Sequence, residues 1–152
     1  MKAFRILISI VSFSIILILT GCGGKNTPAE STQDKQLGLL SQTWKISSGG
    51  SVTLDGNPQT AWSGFQLAIT GTKGGSTFNY TCTGRPPLGP WPASGTWKFG
   101  TDPVTQIIRI EDNLNMTYSV TPTTLQITFS YTGSGFTRVN QVAGTWVFNF
   151  GI

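Results

Sequence analysis

From Trp44 onward the chain alternates apolar and polar positions with period two. Phe65, Leu67 and Ile69 alternate with Gln66, Ala68 and Thr70, and Phe78, Tyr80 and Cys82 alternate with Asn79 and Thr81. Met116, Tyr118 and Val120 alternate with Thr117 and Ser119. The clearest run is TLQITFSYT, which puts Leu125, Ile127, Phe129 and Tyr131 on one face and Gln126, Thr128 and Ser130 on the other. Near the end, Trp146, Phe148 and Phe150 repeat the pattern against Val147 and Asn149. Strict alternation over short runs, broken by Gly, Asn, Asp and Pro, predicts half-buried antiparallel strands, about nine of them. They fall near 42–48, 51–54, 64–70, 76–82, 95–99, 105–111, 115–121, 123–132 and 143–150. One short helical turn is expected before the first strand, through Leu37 to Leu40, with Ser31 or Thr32 as its cap. Nothing after Leu40 has helical period. The fold class is therefore all-β, as a closed meander barrel or a two-sheet sandwich. The barrel is preferred because closure removes edges that would otherwise pair between chains.

The start of the chain follows a different pattern. Lys2 and Arg5 precede an uncharged run from Ile6 to Leu19, and Thr20-Gly21-Cys22 closes it. A basic start, an apolar core and small residues at its exit describe a secretory signal peptide. Fourteen residues are too few for a helix to span a bilayer core, which takes about 20. The exit LTGC resembles the bacterial lipobox. That resemblance implies a diacylglyceryl group on the Cys22 thiol and cleavage between Gly21 and Cys22. Residues 1–21 are then a leader that is removed, and several acyl chains, palmitate among them, anchor the mature protein. Residues 22–36 are polar, with Gly and Pro and no aromatic, and read as a tether. The domain is expected over 37–152. Gly23 after the anchor, with no aspartate there, favours the outer membrane by resemblance to Gram-negative sorting. Whether the domain faces the periplasm or the outside is left open.

Composition narrows the chemistry. Without Lys2 and Arg5, eight basic and six acidic residues remain, a formal charge of +2. The basic residues never cluster, so no nucleic-acid footprint is present. Cys82 is the one thiol left after Cys22, which excludes an internal disulfide in the mature chain. There is no histidine, which removes the commonest general base and metal ligand. No paired-cysteine motif, phosphate loop or G-x-S-x-G occurs, and Glu111-Asp112 before Asn113 read as turn residues. Asn79-Tyr80-Thr81 and Asn115-Met116-Thr117 fit the N-glycosylation pattern but fall inside expected strands. No enzyme activity, cofactor or metal is expected.

Three tryptophans begin strands in similar settings: QTWKI at 42–46, GTWKF at 95–99 and GTWVF at 144–148. Recurrent strand-start chemistry explains them more simply than duplication. With WPASGTWKF, TTLQITFSY and GTWVFNF, this chain resembles the small lipocalin-like domains of bacterial lipoproteins, especially those of Bacteroidota-type organisms, over about residues 37–152. The resemblance implies an up-and-down barrel of about eight to ten strands. In true lipocalins Gly-x-Trp opens the first strand, whereas Gln42 stands at that glycine here. The family also places an arginine over this tryptophan, a role open to Arg138 or Arg109 over Trp44.

Two candidate sites follow. Trp44, Trp97, Tyr118 and Tyr131 are among twelve aromatics expected to point inward; they either line a ligand cavity or fill the core. The loop TGRPPLGPWPASG, residues 83–95, carries Arg85 and Trp91 between prolines. With Trp62 these form an aromatic platform for a sugar ring or a cap over a barrel mouth, unless Leu88 and Trp91 fold back as a hydrophobic plug. The expected function is non-catalytic: binding of a small apolar or amphipathic molecule at the barrel mouth. The alternatives are an accessory subunit docking on another envelope protein, and glycan binding through the loop tryptophans.

Overall fold

The computed structural model describes residues 29–133 and 142–152. Cys22 and Arg138 lie outside the described residues. Helix α1 (Thr32–Leu40) leads into ten strands: β1 (Thr43–Lys45), β2 (Ser51–Leu54), β3 (Asn57–Pro58), β4 (Gln66–Thr70), β5 (Phe78–Thr83), β6 (Ser94–Phe99), β7 (Gln106–Arg109), β8 (Leu114–Val120), β9 (Thr124–Tyr131) and β10 (Gly144–Gly151). All pairings are antiparallel. β4 to β10 follow one another as a meander, β1 lies beside β4, and Lys45 opposite Gly151 closes β1 onto β10. The result is a closed eight-stranded up-and-down barrel with a short helix before its first strand, the fold class that alternation and resemblance predict.

β2 and β3 decorate this barrel. Lys45 faces Gly151 and Ser51 faces Asn149, so six steps of the first strand oppose two of β10. The extra residues loop out, with the Gly50 N–H returning to the Ile46 carbonyl, and β2 resumes the pairing with β10. Asp55 and Gly56, at φ of 49° and 80°, then make a two-residue hairpin turn to β3, the geometry for which Asp-Gly is favoured.

Alternation places the core. All twelve aromatics expected inward are buried, joined by Leu67, Ile69, Ile107, Met116, Leu125 and Ile127. Phe148 sits at the centre, stacked near-parallel with Phe129, Trp146 and Phe150.

α1 covers one end of the barrel. Ser31, not Thr32, is its cap: the Ser31 Oγ accepts the Asp34 N–H at 3.1 Å. The helix is longer than the expected single turn and takes in residues 32–36, which composition had assigned to the tether. These residues are tied to the barrel. Asp34 Oδ1 accepts the Gly74 N–H at 2.7 Å, and Glu30 pairs with Lys73. Leu37 and Leu40, one helical turn apart, drop into the core.

Candidate functional site

The opposite end of the barrel is closed by two segments without strands. A 3-10 turn, Thr60–Trp62, inserts the Trp62 ring edge-on against Phe65, Trp146 and Phe148. The proline-rich loop between β5 and β6 inserts Trp91, which meets Phe65, Tyr80, Phe129 and Phe148. Both indoles are 2% exposed. The two segments interlock through glycines. Gly89 lies flat on the Trp62 ring, where a Cβ would collide with it, and Gly84, at φ 62°, presses against the Gly64 backbone.

Arg109 holds the loop down. It is fully buried on the inward face of β7. Its Nε and Nη2 donate to the two carboxylate oxygens of Asp112 at 2.9 and 2.5 Å, and its Nη1 donates to the Pro90 carbonyl at 2.7 Å. Its guanidinium carbon lies 5.5 Å from the centre of the Trp91 ring, a cation–π contact. Burial alone would lower the Arg109 pKa, and the Asp112 carboxylate outweighs that and holds it above its usual value. Of the two arginines expected over Trp44, Arg109 does not stack there, and Arg138 lies outside the described residues. Arg109 stacks on Trp91, and the Trp44 indole N–H donates instead to the Leu40 carbonyl at 2.9 Å.

The sequence-predicted site residues do not converge on one recess. Trp44 is sealed under α1, and Tyr118 reaches the same end, its hydroxyl between the Pro103 carbonyl and Gln36 Oε1. Trp97 packs on Phe78 and Phe99. Trp62 and Trp91 are core residues of the other end, so the solvent-facing platform is not what they form. The plug reading holds for Trp91, while Leu88 stays half exposed at 50%. Arg85 is half-buried at the start of the loop. Burial pushes the Cys82 thiol up to about 12, against the opposing pull of Arg85 and Arg109. Such a thiol is inert near neutral pH.

Inside the barrel, the space among Leu67, Ile69, Tyr80, Trp91, Trp97, Ile107, Met116 and Ile127 amounts to about 10 Å³. That is about the room of a single water. Three buried donors around it have no hydrogen-bond partner: the Tyr80 hydroxyl and the Trp91 and Trp97 indole N–H groups. Burial also raises the Tyr80 pKa, so its hydroxyl stays protonated.

The wall itself has an opening. The ladder between β8 and β9 runs from Val120 opposite Leu125 to Thr117 opposite Thr128 and stops there, although both strands continue. Beyond that point, among the described residues, β8 pairs only with β7, through Leu114 to Met116, and β9 only with β10, through Phe129 to Tyr131. The seam encloses a recess of about 500 Å³ lined by Asp112 to Asn115, Thr117 and Thr128 to Thr132. Nothing in the alternation pointed to it. Among the described residues no cluster of three or more His, Cys, Asp or Glu is placed to hold a metal, and no helix is long and apolar enough to cross a membrane. Comparison with family models, curated proteins and solved structures found no match.

Proposed function

We propose that this chain is a lipid-anchored, non-catalytic accessory lipoprotein of the bacterial outer membrane that docks on another envelope molecule through its outer surface. The observation that carries this reading is the filled barrel: about 10 Å³ inside, against about 500 Å³ in the open seam of the wall. A carrier of apolar cargo keeps a ligand-sized cavity, commonly 300 Å³ or more. Here aromatic rings occupy that place and both ends are covered. The lipobox ending in Cys22 and the polar stretch after it support the anchor, and the lack of histidine supports a non-catalytic role.

A second reading has its own observation. The unpartnered Tyr80 hydroxyl and Trp97 indole N–H beside Trp91 suit a compact amphipathic molecule with an acceptor group, taking Trp91's place when the loop swings out. Native mass spectrometry of the full chain released from detergent separates the two. The accessory reading expects no small-molecule adduct, with or without an added panel of fatty acids and phospholipids. A bound adduct that disappears in Trp97→Ala favours the carrier. Metabolic labelling with an alkyne-tagged palmitate checks the anchor, and the label is expected to vanish in Cys22→Ser. Labelling that persists in that variant sinks the lipidation of Cys22.

A further inference from the structure

We propose that the seam between β8 and β9 is a strand-addition site, taking an extended, uncharged segment of a partner polypeptide. The proposal rests on the outer-surface docking reading and names the chemistry of what docks.

The backbone argument comes from the neighbours. In an antiparallel pair, successive residues turn their N–H and C=O alternately to one side and the other. Across β10, the Thr145 N–H donates to Asp55 Oδ1 and its carbonyl accepts the Asp55 N–H, so Thr145 bonds away from β9. Its partner Ser130 therefore turns its own N–H and C=O away from β10 and into the seam. On the other side, the Ile110 N–H donates to the Thr96 carbonyl on β6. Ile108, two residues earlier, bonds the same way, so its partner Asn115 faces the seam too. Extending the register from Thr117 opposite Thr128 puts Asn115 opposite Ser130. Two strand edges thus face each other, each held from behind by a complete ladder. Among the described residues, neither Asn115 nor Ser130 has a main-chain partner across the seam.

The lining selects the occupant. Asn113, Asn115, Thr117, Thr128 and Ser130 offer amides and hydroxyls, both donors and acceptors. The one carboxylate, on Asp112, has both oxygens engaged by Arg109. The recess is therefore electrically quiet, a poor match for a phosphate, a cation or a basic peptide. The Phe129 and Tyr131 rings are 3% exposed and present no flat face for a sugar to stack on. An unpaired edge is best matched by another edge, whose N–H and C=O groups alternate as its own do. The unpaired stretch is three residues long on each strand, about 10 Å at the usual strand rise, so a core of three or four residues fits. Tyr131, one of the lining residues, is buried, and its hydroxyl has no hydrogen-bond partner.

The test is amide hydrogen exchange on the full chain in detergent, with the hexapeptide acetyl-Thr-Val-Thr-Ser-Val-Thr-amide as probe. The Asn115 and Ser130 amides are expected to exchange fast in the protein alone and at least about tenfold more slowly with millimolar probe. Ser130→Pro removes one seam-facing N–H and nothing from the β10 ladder. It is expected to melt within a few degrees of the parent and to lose the probe effect; Asn115→Pro repeats the experiment from β8 should the first variant fail to fold. Slow exchange without probe, no response to probe, or protection by maltohexaose or by raising the protein concentration alone would each overturn the proposal. None of these touches the filled-barrel reading, which fails separately if native mass spectrometry finds a molecule inside.

Discussion

At the helix end, the barrel is closed by regular structure whose polar groups stay near the surface. The α1 backbone satisfies itself, Ser31 and Asp34 serve its first turn, and only Leu37 and Leu40 enter the core. At the loop end, an irregular segment carries an indole into the centre, and a fully buried cation holds it there. The first closure costs little in desolvation. The second takes a guanidinium out of water, which is tolerable only because Asp112, the Pro90 carbonyl and the Trp91 ring all engage it. One end is a lid added by the start of the domain. The other is a plug built into the core, and the seam between β8 and β9 opens beside it, at the Asp112 turn.

The largest effect that separates the two ends is expected from Arg109→Ala. It strands a half-buried Asp112 carboxylate, frees the Pro90 carbonyl and leaves Trp91 without its cation. Breaking a buried pair in this way costs about 3–5 kcal/mol, to be read from urea unfolding, and the Trp91 emission should shift to the red as the loop loosens. Arg109→Lys keeps the charge but not the fork and should fall between. An Arg109→Ala variant as stable as the parent would show that the plug stands without its clamp.

Leu40→Ala tests the lid. Removing a fully buried leucine costs about 2–4 kcal/mol, and the loss should leave the loop end undisturbed. The readout is selective: faster amide exchange in α1 and β1, with unchanged protection at Trp91 and Ile107. Equal loosening at both ends would mean that lid and plug form one cooperative unit.

How far these differences could be read in advance depends on the kind of signal. Period-two alternation made the barrel legible, because each strand has one wet and one dry face, and the twelve aromatics on the dry side are all inside. The α1 cap was legible to within one residue, Ser31 or Thr32, since the cap acts on a residue three positions away. Arg109 was not. It sits in QIIRI, where Ile107 and Arg109 face inward and Ile108 and Ile110 outward, so the polar and apolar letters contradict the face. The hint was local: Asp112 lies three residues on, across the turn to β8. Trp62 and Trp91 were named, but their burial depends on where two irregular segments fold, which no periodicity encodes. The seam is hidden for another reason. β8 and β9 alternate through Leu114 and Tyr131 whether or not their edges are zipped, so the pattern cannot report the gap.

Alkaline pH should weigh on the loop end first. The Cys82 thiol has an ordinary value of 9.0 and sits near 12 in the fold. A pKa raised by folding means that the unfolded chain releases its proton first. The stability from keeping the thiol neutral is thus whole below pH 9 and is lost as pH climbs toward the folded value. Between pH 9 and 10 the loss should be about 1 kcal/mol. Cys82→Ala should flatten that slope in denaturation curves taken across this range. An unchanged slope would shift the cause to the tyrosines, of which Tyr118 lies at the helix end and is raised by burial as well.

The smallest effect belongs to the lid's own cap. Ser31→Ala removes the acceptor for the Asp34 N–H and the donor to Asp34 Oδ2, at a cost of about 0.5–1 kcal/mol. The Gly74 N–H, and then Ser31, hold the Asp34 carboxyl below its usual pKa. Its contribution is therefore present above the ordinary carboxylate range and fades as pH falls through the lowered value. At pH 7 the variant should melt slightly earlier than the parent, and in strong acid the two should converge. A gap that persists at low pH would mean that Ser31 acts through the helix backbone alone, without Asp34. The cap and the tie of Asp34 to the β4–β5 turn would then be separate contributions to the lid, each independent of the charge-held plug.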